Sequence, residues 1–186
     1  MPPKVKVTKE EIINAAFDIT RKSGADAINA RTVAAELNCS TQPIFSNFST
    51  MDALRFAVVD KTQSIFEEYA KAIMESGEFP TYKASGMAYI RFAREERELF
   101  KLLYMRDRAD EGFAFDTEFD REMTDIVSEN IGVSGEIAKL FHLEMWSFVH
   151  GIATMFATGF LDLDMELVSK MITDCYQGLR KQYKMR

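Results

Sequence analysis

NARTVAAELNCSTQPIFSNF, residues 29–48, holds two short helical patterns separated by a turn. Ala30 to Leu37 consists of helix formers, with Val33, Ala34 and Leu37 at helical spacing. Asn29 suits an N-cap, because its side-chain oxygen can take a free backbone N–H of the first turn. Asn38-Cys39 follows, and Asn tolerates the left-handed backbone that a tight helix–helix turn needs. Ser40 is a second N-cap candidate and opens the segment Thr41 to Asn47. A helix, a short turn and a second short helix is the helix-turn-helix plan, whose second helix lies in a DNA major groove.

The second segment has the chemistry for base reading. Ile44 and Phe48 lie four apart and can dock on the preceding helices, while Thr41, Gln42, Ser46 and Asn47 largely escape that face. Gln and Asn can bond adenine bidentately, and Thr offers a hydroxyl and a methyl that suits thymine. With Ser40 as cap, Pro43 is the third helical residue, inside the first turn where no intrahelical N–H is required. The competing reading of this window is a surface helical hairpin with no partner.

The whole chain has 186 residues, enough for one domain or a small one joined to a larger one. Its 47% apolar share supports a sizeable core, and four Pro, nine Gly and few alternating β-branched runs point to an all-α protein. Cys39 and Cys175 match no metal or redox spacing, which fits reduced thiols in a cytoplasmic protein. MPPKVKVTKE contains no signal-peptide apolar run. The apolar stretch from Phe148 to Leu161 is interrupted by His150, Thr154 and Thr158 and is too short to span a membrane.

Charge is distributed unevenly. The net value is −6, but residues 1–50 carry +1 and residues 51–186 carry −7. A weakly basic head on an acidic body fits contact with DNA through the head alone. Within the head, Pro2 to Val7 reads as a basic arm whose Lys4 and Lys6, with Lys9 beyond them, are candidates for phosphate contact. Thr8-Lys9-Glu10-Glu11 is a capping box that opens a helix to about Ser23. Ile12, Ala16 and Ile19, beside Ile13 and Phe17, give that helix an apolar stripe, and Gly24 stops it.

The helix, the Gly stop and the sequence NARTVAAELNCSTQPIFSNFSTMDAL together resemble the N-terminal domain of the tetracycline-repressor (TetR) family. Arg31, Val33, Ala34, Ser40, Ile44, Phe45, Phe48, Thr50 and Leu54 carry the match, which spans about residues 8–60. The resemblance implies a DNA-binding head at residues 1–50 and a helical ligand-binding and dimerisation body at residues 51–186. Together with the residue chemistry above, it makes Lys6, Lys9, Asn29, Arg31, Ser40, Thr41, Gln42, Pro43, Phe45, Ser46, Asn47 and Thr50 the expected DNA contacts. Three positions depart from the family pattern: Asn38 replaces a usual Gly, Asn47 a usual aromatic or His, and Met51 a usual phosphate-binding Lys. A neutral thioether releases no counterion, which weakens the phosphate grip expected there.

Ser49 or Thr50 can cap the next helix, which runs to about Ser76. Residues 81–105 read as a helix to about Glu96, a break, and a short helix from Leu99, resembling a segment that often follows in the family. Arg106 to Phe115 reads as a charged loop. Asp116 is the expected cap of a helix to Asn130. Ser134 is the expected cap of a helix to Thr158, stopped by Gly159, and Asp162 or Asp164 starts the last helix, to about Tyr183. These last two helices are apolar on more than one face, which in a chain this small suits a partner subunit. The family pairs its last two helices with those of a second copy, so a homodimer is expected through them.

Aromatic density suggests an apolar small-molecule site of the kind the family holds between its body helices. The candidates are Phe92, Phe100, Phe113 and Trp146 as walls, with Arg91, Tyr104 and His150 as polar groups; the competing reading of each is plain core. Trp146-x-x-x-His150-Gly151 also resembles a signature of some family members' regulatory domains. An enzyme is not indicated. His142 and His150 lie eight apart, not at ligand spacing, and there is no Gly-rich phosphate loop and no nucleophile elbow, so no metal or cofactor is expected. The rival function is a helical ligand-binding or interaction protein that does not recognise DNA.

Overall fold

The computed structural model describes residues 7–107 and 117–184, with the side chain of residue 184 left aside. Those residues contain helices and no strand, as the composition indicated. The chain divides into two compact units, Met1–Glu67 with Glu96–Arg106, and Glu68–Glu95 with Asp107–Arg186.

In the first unit, α1 (Lys9–Ser23) is opened by the capping box. The Glu11 N–H donates to Thr8 Oγ1 at 3.2 Å and the Thr8 N–H donates to Glu11 Oε2 at 2.7 Å. Gly24 ends the helix at φ 83°, and a single 3-10 turn, Ala25–Ala27, carries the chain to Ile28. α2 (Ala30–Glu36) starts as expected from Asn29, whose Oδ1 accepts from the N–H groups of Arg31 and Thr32. Asn38 then takes the left-handed conformation, at φ 49°.

α3 (Gln42–Asn47) departs from the sequence expectation at its start. Thr41, not Ser40, is the N-cap, and it is already in the right-handed helical region with no side-chain cap bond. Gln42 is therefore the first helical residue and Pro43 the second. The missing N–H of Pro43 still costs nothing, since it falls among the four amides a helix leaves unpaired.

Ile12, Ala16 and Phe17 of α1, Val33 and Ala34 of α2, Ile44 of α3, and Phe48 are buried together with Leu54 and Val58 of α4 (Met51–Glu75). Thr50 Oγ1 caps α4 by accepting from the Ala53 N–H at 3.1 Å. Two polar ties hold α4 to the head. Arg55 donates to the Ile28 carbonyl at 3.0 Å, and Lys61 donates to Asn14 Oδ1 at 2.6 Å. After α5 (Thr81–Glu95), α6 (Arg97–Tyr104) returns to this unit, where Glu96 accepts from Arg21 Nε at 2.7 Å.

The second unit is built around α5. It packs against α8 (Glu136–Thr158), and both contact α7 (Glu118–Ile131) and α9 (Met165–Lys184). Gly86 permits the close approach: a Cβ there would lie 3.3 Å from Val149 of α8 and 3.8 Å from Ile172 of α9. Phe92, Phe141 and Phe156 are fully buried between these helices.

The caps of α7 and α8 also differ from expectation. Thr117 caps α7 in a box with Asp120, while Asp116 lies outside the described residues. Gly135, not Ser134, is the N-cap of α8 and makes no side-chain bond. Asp164 caps α9, accepting from the Glu166 N–H at 2.8 Å. No helix among the described residues is long and apolar enough to cross a membrane.

Candidate nucleic-acid interface and effector-site residues

The local rules that build the head also sort its surface. One side of this short segment must be apolar to hold it against α1 and α2, and Ile44 and, one turn on at the C-cap, Phe48 supply it, at 0% and 4% exposed. What remains on the open side of α3 is Gln42, Phe45 and Ser46, all exposed, with Thr41, Pro43 and Asn47 half-buried. Phe45 is 54% exposed, so its ring offers the open side an apolar surface.

The polar groups on this side differ in what they have left to offer. The Ser46 hydroxyl donates to the Gln42 carbonyl at 2.9 Å, and the Asn47 side-chain amide donates to the Pro43 carbonyl at 2.8 Å. Both keep acceptor oxygens, but Ser46 has spent its one donor and Asn47 one of its two. Around α3, Lys9 holds its ammonium 5.3 Å above the Phe48 ring, which brings the N-terminus of α1 to the far end of α3. Arg31 is exposed on α2. Asn29, Ser40 and Thr50 are exposed at the helix starts, but Asn29 and Thr50 spend their side-chain oxygens on caps. Met51 is half-buried. Lys6 lies outside the described residues.

The effector candidates fall into both units. Phe100 and Tyr104 belong to the first, where their rings lie 5.0 Å apart and Phe66 meets Tyr104 edge-on at 6.0 Å. Arg91, Phe92, Trp146 and His150 belong to the second. Arg91 forms a bidentate pair with Glu78 at 2.8 and 2.6 Å, which holds the Glu78 carboxyl below its usual range. Phe92 is buried and meets Tyr69 edge-on at 5.7 Å. Trp146 stacks flat on His150 with ring centres 4.8 Å apart. Phe113 lies outside the described residues.

Sequence reasoning missed how the two histidines are held. Tyr82 Oη meets His142 Nδ1 at 2.9 Å, and Tyr89 Oη meets His150 Nδ1 at 2.9 Å. Asp120 of α7 lies 3.6 Å from His142 Nε2. Burial opposes ionisation of Asp120, but hydrogen bonds from His142 and Thr117 outweigh it and hold its pKa below the usual value. Burial pushes the Tyr82 hydroxyl far up, so it keeps its proton, and pushes His150 down toward its neutral form. The signal was present in the spacing. Tyr82 and Tyr89 are seven apart on α5 and His142 and His150 eight apart on α8, two turns in each case, so two parallel helices can pair them twice.

The arrangement is that of a helix-turn-helix regulator with a helical body. A family model described as "Tetracyclin repressor-like, C-terminal domain" matches residues 82–175, half of the chain. The protein belongs to the TetR family of transcriptional regulators.

Solved structures agree on the fold. A TetR-like transcriptional regulator from Rhodococcus sp. RHA1 is similar at TM-score 0.67 and 14% identity, over 95% of this chain and 96% of that one. A TetR family member from Streptomyces coelicolor A3 gives 0.60 and 19%, over 90% and 96%. The multidrug binding protein EbrR, complexed with imidazole, gives 0.57 and 18%, over 90% and 88%. No curated protein matches the sequence.

Proposed function

We propose that the protein is a sequence-specific DNA-binding transcriptional repressor that acts as a homodimer. α3 is its reading helix, and a small apolar or amphipathic molecule releases it from the operator. The observation that carries this reading is the exposed side of α3, on a chain whose C-terminal half matches the TetR regulatory domain. Phe45 and Gln42 project from a helix otherwise anchored by Ile44 and Phe48, and a base edge is a partner that suits both. Lys9 and Arg31 flank them as phosphate contacts.

The dimer is supported by α8. Its buried side is complete, with Phe141, Met145, Val149, Ile152 and Phe156 all under 10% exposed. Its opposite side presents Ile137, Leu140 and Leu143 at 48%, 44% and 39% exposed, followed at helical spacing by Ser147, Gly151 and Thr154. After Lys139 the only charged residue on α8 is Glu144, and its carboxylate accepts from the Tyr183 hydroxyl at 2.9 Å. A long face whose one charge, Glu144, is tied to Tyr183, with small residues at its centre, suits a two-fold contact with a second copy. Two copies would present their α3 helices to half-sites about 34–36 Å apart, or a multiple of that.

The effector reading rests on the aromatic and polar groups of the body, Trp146 on His150 above all, and on the likeness to a multidrug binding protein. A ligand that favours one head spacing shifts the dimer off DNA by its differential affinity for the two states.

The test is selection of bound duplexes from a random pool by the full chain. An inverted repeat is expected. A pool that enriches nothing at low salt would overturn the reading in favour of a helical binding protein with no DNA target.

A further inference from the structure

We propose that the half-site under α3 is an A·T step, read by Gln42 on adenine and by Phe45 on the methyl group of thymine, and that no guanine is read from this helix. The proposal rests on the DNA-binding reading above and adds to it the class of base pair.

Three observations point there. First, between Arg31 and Arg55 the sequence contains no Lys or Arg. That interval covers the turn, all of α3 and the first turn of α4. Guanine shows only acceptors, N7 and O6, in the major groove, and the commonest specific contact to them is bidentate donation from Arg or Lys. α3 has neither.

Second, the donors that α3 does possess are partly spent. Ser46 and Asn47 donate to the carbonyls of Gln42 and Pro43 one turn back. Ser46 therefore turns only an acceptor outward, which guanine's edge repels, and half-buried Asn47 keeps a single amide N–H. Among the exposed polar groups of α3, Gln42 alone keeps a side-chain amide with no bond to the protein. A single amide offers one donor and one acceptor side by side, the complement of adenine N7 and N6.

Third, Phe45 stands three residues after Gln42 on the same open side, 54% exposed. A phenyl ring offers a base edge nothing but apolar area. In the major groove the apolar feature it can meet is the thymine methyl. Position three on a helix is the adjacent neighbour on the surface, so the two side chains address one base pair or two successive ones.

The experiment uses the full chain and the inverted repeat recovered from a random pool. Each thymine of one half-site is replaced in turn by deoxyuridine, which deletes only the methyl. One position is expected to weaken binding by about fourfold, the effect of losing one buried methyl-sized group. In the Phe45→Ala variant, that same position is expected to become indifferent to the replacement. Replacing the neighbouring adenine is expected to weaken binding by about 5- to 150-fold, and Gln42→Ala to abolish that preference.

Two results would overturn the assignment: invariant G·C pairs at the centre of each half-site, or full affinity with every thymine replaced. Both leave DNA binding itself standing. Failure to recover any sequence would instead remove the DNA-binding reading, and this one with it. Wild-type protein on modified DNA supplies the decisive measurement, so a poorly folding variant does not blunt the test.

Discussion

The exposed side of α8 gives a prediction whose size follows from burial. Ile137→Gln, Leu140→Gln and Leu143→Gln, combined in one chain, keep helix propensity close to that of the parent while replacing apolar surface with amides. Full burial of one such side chain stabilises by about 1.5–3 kcal/mol. A little under half of each is still exposed in the single chain, so each has about 0.7–1.3 kcal/mol left to gain from a partner. A two-fold contact contains every residue twice. Six copies contribute on the order of 4–8 kcal/mol, equivalent to about three to six decades in the dimer dissociation constant. Imperfect fit lowers that figure, so the lower end is the expected effect. Sedimentation velocity across a dilution series measures it, with far-ultraviolet circular dichroism confirming that the helices persist. A triple variant that dissociates at the same concentration as the parent would refute the assignment of this face. So would a parent chain that is monomeric at every concentration.

Other expected outcomes concern charge, packing and pH. Lys9→Ala is expected to weaken all duplexes alike and to flatten the salt dependence of binding by about one unit, because an ammonium near α3 releases one counterion; titrations at several salt concentrations check it. Gly86→Leu is expected to cost about 1–3 kcal/mol, seen as a lower denaturation midpoint, because even a Cβ there would press on Val149. His150 is held below the ordinary histidine value by burial. Its contribution is therefore fully present above about pH 6.5, the ordinary value, and is lost as pH falls through the lowered folded-state value. Thermal unfolding between pH 5 and 7 is expected to show a flatter pH slope for His150→Gln than for the parent, and parallel slopes would contradict it.

How far the sequence could be read depended on the range of the interaction concerned. Thr8 with Glu11, Asn29, Gly24, Thr50 and Asp164 are local devices, each complete within four residues, and each stops or starts a helix where its chemistry says it must. The start of α3 was misplaced by one residue because Thr41 already lies in the helical region and the cap is backbone alone, which no side chain announces. The same holds for Gly135 at α8. Contacts distant in the chain were illegible. The Tyr82–His142 and Tyr89–His150 bonds join residues about 60 apart, and Arg21 finds Glu96 only once α6 has folded back on α1. Arg91 looked like a polar group for an effector, and its bidentate pair with Glu78 depends on where the chain turns after α4.

The two sides of α8 show why apolar content alone misleads. Counting residues, Ile137, Leu140 and Leu143 look the same as Phe141, Met145 and Val149. Only the coordinates separate them, and they do so by phase: the second set lies toward α5 and α7, while the first turns away with Ser147 and Gly151 beside it. Polar holdfasts accompany the second set: buried His142 and half-buried His150 are bonded to α5, and half-buried Glu144 to α9. Those bonds fix which way α8 is rotated, because each must sit within hydrogen-bond reach of one tyrosine hydroxyl. Rotating the helix by a single residue position, about 100°, would break all three. Polar pairs in an apolar bundle thus specify the facing that leaves the Ile137–Leu140–Leu143 side outward.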